Sequence, residues 1–395
     1  MNIEQLRLDT PGVAYCNHLN NAGAALPPRV VLDTMTDSLL QEARMGGYEF
    51  MSAQHEVANS FYTLAAQLLH AQERQIAYTT NATDAYNRAL SAIPFERGDL
   101  ILTTDDDYVS NQLAFLQLQK RYGVKIIRVA TCPTGGVSVQ QMTELIRQYH
   151  PKLVAVTHVP TNSGLIQEIE EIGRCCQMYD ILYLVDACQS IGQMPLDVST
   201  IHCDFLTATY RKWLRGPRGA GLLYVSDKVL RSTLAPHFID LRGSTWVSKD
   251  KYVLEQSAKR FELWERSYAL MLGARAATAY ALDIGLDVIQ KRVQLLAAYT
   301  RKQLQTIAGV RVLDRGARVC GIVTAHIAGI QPDALLSTIS AQQINVSIAH
   351  VGSARIDFAK KQVDWALRIS PHYYNTTTEI DQIISVIHEL ETLKK

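Results

Sequence analysis

The stretch Thr207-Ala-Thr-Tyr-Arg-Lys212-Trp-Leu-Arg-Gly-Pro-Arg-Gly-Ala-Gly221 sets one lysine among Arg211, Arg215 and Arg218 in a glycine-rich run. Nearby cations disfavour an ammonium group, so Lys212 is expected to lose its proton unusually easily. A neutral lysine amine is a nucleophile that can form a Schiff base with a carbonyl. The plain alternative is a basic surface loop. Asp186 directly follows the apolar run Ile181-Leu-Tyr-Leu-Val185, where an acid either caps the next element or meets a ligand cation. Thr80-Asn-Ala-Thr83 follows another apolar run and opens a helical pattern. Free N–H groups at such a turn favour a phosphate, against the simpler reading of Asn81 as an N-cap.

These residues need elements to hold them. Short β-branched runs at 76–79, 99–103, 124–130, 153–157, 181–185, 205–207 and 221–225 alternate with helical patterns at 83–93, 110–122, 138–149 and 167–179, with a short helix after Lys212. Such alternation predicts a mostly parallel, seven-stranded sheet covered on both faces, with ligands at the carboxyl ends of its strands. Long helices are expected over 269–282 and 286–307. Strands at 310–313, 321–325, 345–349 and 365–369 then alternate with helices at 333–340 and 378–392, a smaller α+β domain. The expected division is 1–250 for the N-terminal segment and large domain, and 251–395 for the linking helices and small C-terminal domain.

Composition narrows the function classes. The 395 residues are 47% hydrophobic and 19% charged, with Lys+Arg 39 against Asp+Glu 38, a net charge of +1. That balance points to neither nucleic acid nor a membrane surface as partner, and no apolar run reaches the roughly 18 residues of a spanning helix. The first nine residues lack the basic-then-apolar order of a signal peptide. With 7 scattered cysteines, they suggest a cytoplasmic protein with reduced thiols. Cys175-Cys176 lacks zinc-ligand spacing and no His-Glu-x-x-His occurs, so no metal is expected.

The order of phosphate-ready turn, strand-terminal acid with Gln189 three residues on, and lysine in a Gly/Arg loop resembles the class V group of pyridoxal-phosphate (PLP) enzymes of fold type I. That group includes cysteine desulfurases, selenocysteine lyases, cystine C–S lyases and isopenicillin N epimerase-like proteins. The likeness runs from Asn20 to about Leu390. It implies PLP as cofactor, with Lys212 as its Schiff-base lysine and proton shuttle and Asp186 against the pyridine nitrogen. It also implies Gln189 near the ring hydroxyl, Asn162 facing the ring, and Tyr108 stacked on it where many members have His. Ala82, Thr83, Thr209 and Arg211 match the phosphate-binding positions, and Arg368 the fork that grips a substrate carboxylate. Asn20, Asn21, Trp246 and the Trp264-Glu265 pair are candidates for shaping the substrate pocket, and residues 242–266 for reaching a partner subunit in a homodimer.

Two departures from the pattern bear on the reaction. Cysteine desulfurases carry a persulfide-forming cysteine shortly before the carboxylate arginine, whereas residues 344–368 here contain none. Relatives also place a threonine that reaches the partner's phosphate where this chain has Arg260-Phe-Glu-Leu-Trp-Glu265, which puts that cross-subunit contact in doubt. The expected reaction is therefore C–S bond cleavage by β-elimination from a cysteine derivative, without an enzyme persulfide; hercynylcysteine sulfoxide lyase-like proteins are similar. A class V aminotransferase or an epimerase-like racemase is the alternative, and a catalytically inactive binding protein of the same fold a third reading.

Overall fold

The computed structural model describes residues 1–132 and 134–392. The two longest helices before the central sheet are α1 (Arg29–Met45) and α2 (His55–Leu69). The sheet strands are β1 (Ile76–Thr79), β2 (Leu100–Thr104), β3 (Lys125–Val129), β4 (Leu153–Thr157), β5 (Leu182–Asp186), β6 (Phe205–Thr209) and β7 (Gly221–Val225). Between them run α3 (Ala82–Ala92), α4 (Val109–Tyr122), α5 (Val139–Tyr149) and α6 (Ile169–Met178). The sheet is seven-stranded, in the order β1-β7-β6-β5-β4-β2-β3. Five of these strands are buried along their whole length, because helices cover both faces and leave no polar side.

Pairing is parallel throughout except at β7, which runs antiparallel to both β1 and β6. The reason lies in the β6–β7 connection. A parallel return needs a crossover of a dozen or more residues, usually a helix. The segment between Thr209 and Gly221 is all turns, so the short helix expected after Lys212 does not form. Gly221 itself permits a close approach: a Cβ there would sit 2.7 Å from the Asn81 carbonyl carbon at the mouth of α3.

Beyond the sheet, a hairpin of β8 (Ser244–Ser248) and β9 (Lys251–Leu254) leads into α7 (Tyr268–Ile284) and α8 (Leu286–Gln305). A second, four-stranded antiparallel sheet is formed by β10 (Val310–Val312), β11 (Val323–Ile327), β12 (Ser347–His350) and β13 (Trp365–Ile369), in the order β10-β11-β13-β12. It packs with α8, α9 (Pro332–Ala341) and α11 (Thr377–Thr392), while α10 (Arg355–Lys361) leads into β13. The N-terminal segment belongs to this side of the molecule: Asn17 and His18 pair in parallel with Ile344 and Asn345, and Asn20 bridges to Ser370. The loop that follows then turns back to the large sheet, where the Ala25 N–H donates to the Arg211 carbonyl at 2.8 Å. No single helix among the described residues is long and apolar enough to cross a membrane.

Candidate active site

The carboxyl ends of β4, β5 and β6 open onto one cavity enclosing about 550 Å³, its mouth included. Tyr108, Thr161, Asp186, Thr209, Arg211 and Lys212 contribute to its wall. Asp186 is the last residue of β5 and 4% exposed. Its Oδ1 accepts from the Cys188 backbone N–H at 2.9 Å and its Oδ2 from the Asn111 amide at 3.0 Å.

Lys212 lies three residues past β6 and is buried. Tight turns hold its loop: the Arg215 N–H donates to the Lys212 carbonyl at 2.9 Å and the Gly216 N–H to the Tyr210 carbonyl at 2.8 Å. Burial brings the Lys212 ammonium down to about 8; Cys188 and Asp186 oppose this, and Arg211 and Arg368 reinforce it. The expected direction is therefore present, but desolvation rather than the flanking arginines dominates. Arg215 in particular faces away. Its φ of +59° turns the backbone, and its guanidinium donates to the Leu26 carbonyl, the Tyr373 hydroxyl and the Thr10 hydroxyl at 2.7–2.8 Å. It thereby ties the lysine loop to the N-terminal segment.

Also on the cavity wall, Ala82 and Thr83 are the first two helical residues of α3. Asn81 caps this helix by accepting from the Asp84 N–H at 2.9 Å. The cap takes up the third N–H and leaves the N–H groups of Ala82 and Thr83, two residues that line the cavity, for an anion. Arg211 donates to the Gly23 carbonyl. Tyr108 stands at the N-cap position of α4, without a side-chain cap bond, on the cavity wall.

Arg368, on β13, reaches into the same region from the small sheet. It donates to the Thr161 hydroxyl at 2.9 Å and the Thr161 carbonyl and Asn20 Oδ1 at 3.2 Å, while its buried Nε has no partner. Burial, reinforced by Arg211, lowers its guanidinium to about 10. A planar fork with an open Nε edge suits a carboxylate.

Three of the expected residues do not line this cavity. Asn162 does not line the cavity: its amide donates to the Ser353 carbonyl at 3.0 Å, and Thr161 occupies the wall instead. Asn21 is fully buried and committed to the Ser370 carbonyl and the Tyr374 hydroxyl; its neighbour Asn20 is the residue that touches Arg368. Trp246 sits on the β8–β9 hairpin, 75% exposed. Gln189 lines the cavity, yet its amide is already spent: Oε1 accepts from the Trp213 indole at 2.8 Å, and Nε2 donates to Thr161 and the Ala22 carbonyl, each at 3.0 Å. Sequence reasoning missed Asn111, Thr157 and Thr161. A strand-end threonine and an asparagine one turn into α4 were the available signals.

The site fits PLP on its own chemistry. It offers a buried amine with a lowered pKa that takes no hydrogen bond or ion pair among the described residues, two helix-terminal N–H groups suited to phosphate, and a buried carboxylate on the same cavity wall. The aminotransferase class-V family model matches residues 17–383. A probable cysteine desulfurase of Pyrococcus abyssi is 27% identical, with 98% of this chain and 97% of that protein covered. Another from Methanothermobacter thermautotrophicus is 29% identical over 99% and 98%. Among solved structures, an apo cysteine desulfurase from Thermococcus onnurineus NA1 matches with a TM-score of 0.91 at 26% identity, covering 99% of both chains. A cystine C–S lyase matches with a TM-score of 0.86 at 21% identity, over 96% of this chain and 99% of the other, and so speaks to the fold alone. The chain belongs to the aminotransferase class-V family, and is a PLP-dependent enzyme of fold type I.

Proposed function

We propose that the protein cleaves the C–S bond of a cysteine derivative by β-elimination, without storing sulfur on a thiol of its own. The observation that carries this is the placement of its cysteines. Residues 344–368 contain none, and among the described residues Cys188 is the one thiol on the cavity wall. Burial, with the charge of Asp186, pushes the Cys188 thiol well up, so it stays protonated and is a poor sulfur acceptor.

PLP, when bound, supplies the electron sink that labilises bonds at the substrate α-carbon. The protein supplies the rest. Ala82, Thr83, Thr209 and Arg211 would hold the phosphate, with Tyr108 against the ring and Asp186 balancing a proton on the pyridine nitrogen. Lys212 would anchor the cofactor and move the proton at the α-carbon, a task suited to an amine that titrates near 8. Arg368, steadied by Asn20 and Thr161, would grip the α-carboxylate and so decide which α-carbon bond is aligned for cleavage. The reading includes the division of the chain near residue 250 and a homodimer in which residues 242–266 meet the partner.

The test is to incubate the holoenzyme with cysteine, cystine and cysteine sulfoxides, following pyruvate and the intact mass of the protein. Pyruvate release with unchanged protein mass supports the lyase. One added sulfur atom on a cysteine, with turnover lost on its change to Ser, identifies a persulfide-forming desulfurase instead. Amino-group transfer to a 2-oxo acid without pyruvate from these substrates identifies an aminotransferase.

A further inference from the structure

Behind Asp186 lies a second buried carboxylate that the reading above does not use. Asp107 sits between β2 and α4. Its Oδ1 accepts from the Tyr108 N–H at 2.9 Å, the Asn111 amide at 3.2 Å and the Thr157 hydroxyl. Its Oδ2 accepts from the Thr103 hydroxyl at 2.6 Å and the Gln112 amide at 3.4 Å. Every partner donates, and an acceptor-only role is that of an ionised carboxylate. The same Asn111 amide donates to Asp186 Oδ2 at 3.0 Å, and Asn111 also reaches Thr157 at 3.4 Å. One amide group thus bridges two buried carboxylates. They feel each other directly: burial is the main cause that raises the Asp107 carboxyl, hydroxyl donors oppose it, and Asp186 adds to it. The Tyr86 phenol from α3 faces both carboxylates and has no hydrogen-bond partner.

We propose that Asp107 is a positioning residue for Asp186: through Asn111 it fixes the orientation of the Asp186 carboxylate, and its own charge adds to the negative field facing the cofactor's ring nitrogen. This rests on the placement of that nitrogen against Asp186. A lone carboxylate at the end of β5 could rotate about its side-chain bonds. The 3.0 Å bond from Asn111 on one oxygen and the 2.9 Å bond from the Cys188 N–H on the other remove that freedom. Asp107 in turn holds Asn111 so that the amide points its N–H groups, not its carbonyl, at Asp186.

The groups that face Asp107 are Asp186 from β5, Tyr86 from α3, Thr103 from β2, Thr157 from β4, and Asn111 and Gln112 from α4. Among these only Asp186 and Tyr86 can titrate, and the phenol stays protonated because burial raises it well above its ordinary value. Removing the Asp107 charge therefore changes the field at the ring without the phenol compensating.

The experiment titrates the visible absorbance of the holoenzyme against pH in wild type, Asp107→Asn, Asn111→Leu and Asp186→Ala, alongside PLP affinity and apo thermal stability. In Asp107→Asn the absorbance midpoint should fall by roughly 0.5–1 pH unit, as expected for loss of one nearby negative charge. Asn111→Leu keeps that charge but cuts the bridge. It should shift the midpoint less and broaden or displace the absorbance band, as the unanchored Asp186 carboxylate samples several orientations. A midpoint unchanged in Asp107→Asn but moved in Asp186→Ala overturns the proposal and leaves the Asp186 reading intact. A midpoint unmoved in Asp186→Ala removes the reading on which the proposal rests. A fall in apo stability alone, with wild-type midpoint and band in both Asp107→Asn and Asn111→Leu, assigns Asp107 a structural role only and also overturns it.

Discussion

The strand-end site and the β8–β9 hairpin carry side chains of similar promise but treat them in opposite ways. At the strand ends, charged groups are withdrawn from water: Asp186, 4% exposed, is held by two hydrogen bonds, and Lys212, 7% exposed, is left without a partner among the described residues. On the hairpin, apolar groups are left in water, with Tyr252 paired across from Trp246 at 58% and 75% exposure. The hairpin is not loose at its root. Glu262, buried just beyond β9, accepts from Arg242 at 3.1 Å, Arg266 at 2.8 Å, the Tyr62 hydroxyl at 2.8 Å and the Tyr78 N–H at 2.9 Å. A firmly anchored element that displays aromatic rings is suited to contact another chain, whereas a buried unpaired amine is suited to chemistry. Burial alone therefore separates a reactive role from a docking role, and each side of that contrast can be tested.

The largest effect is expected at Lys212. Lys212→Ala should lower turnover by about three orders of magnitude or more, near 4 kcal/mol. Borohydride treatment of the wild-type holoenzyme should label the peptide containing Lys212 and no other, and label on a different lysine would move the site. The pKa near 8 adds a pH signature. Between about 8 and the ordinary lysine value of roughly 10.4, the unfolded chain binds the proton that the folded apo chain has lost. Apo stability attributable to this group should therefore rise with pH across that window. The rate of PLP uptake by the apo protein should likewise climb with pH and level off above about 8, whereas a plateau only near 10 would mean an ordinary, solvated lysine.

Asp186→Asn comes next. The amide keeps the size of the side chain but not its charge, so cofactor should remain bound while turnover falls by about two orders of magnitude, roughly 2.7 kcal/mol. Near-normal turnover would take Asp186 out of its assigned place. Arg368→Lys should be milder: a raised KM together with a kcat lowered about tenfold, because the point charge persists and the two-point fork is lost. A change in KM alone would mean that the carboxylate is bound but not oriented by this residue.

The smallest effect on chemistry is expected at the hairpin. Trp246→Ala should leave cofactor content per chain unchanged and shift fold stability by no more than about 0.5 kcal/mol, as for other exposed sites. Sedimentation should show a weakened dimer. A dimer of undiminished strength would place the interface elsewhere, and lost cofactor would return Trp246 to the site.

The alternation of apolar runs with helical patterns was enough to read the seven strands of the central sheet, since buried parallel strands leave an unbroken apolar signature and their ends locate ligands. Asp186 and Lys212 were legible for the same reason: each stands at a fixed short distance past an apolar run. What the sequence by itself determined is thus the repeating βα order, the residues at strand ends, and the absence of a cysteine from residues 344–368. Only tertiary structure decided which of two adjacent residues meets the cavity wall or Arg368. Asn20 and Asn21, like Thr161 and Asn162, differ by one step along an irregular loop, where no 2-residue or 3.6-residue period applies, and distant partners such as Ser353 and Tyr374 choose between them. It also decided that desolvation, more than the neighbouring Arg211, lowers the Lys212 ammonium. Arg215 lies close in sequence but is turned toward Thr10 and Tyr373, and a field depends on distance in space rather than distance along the chain.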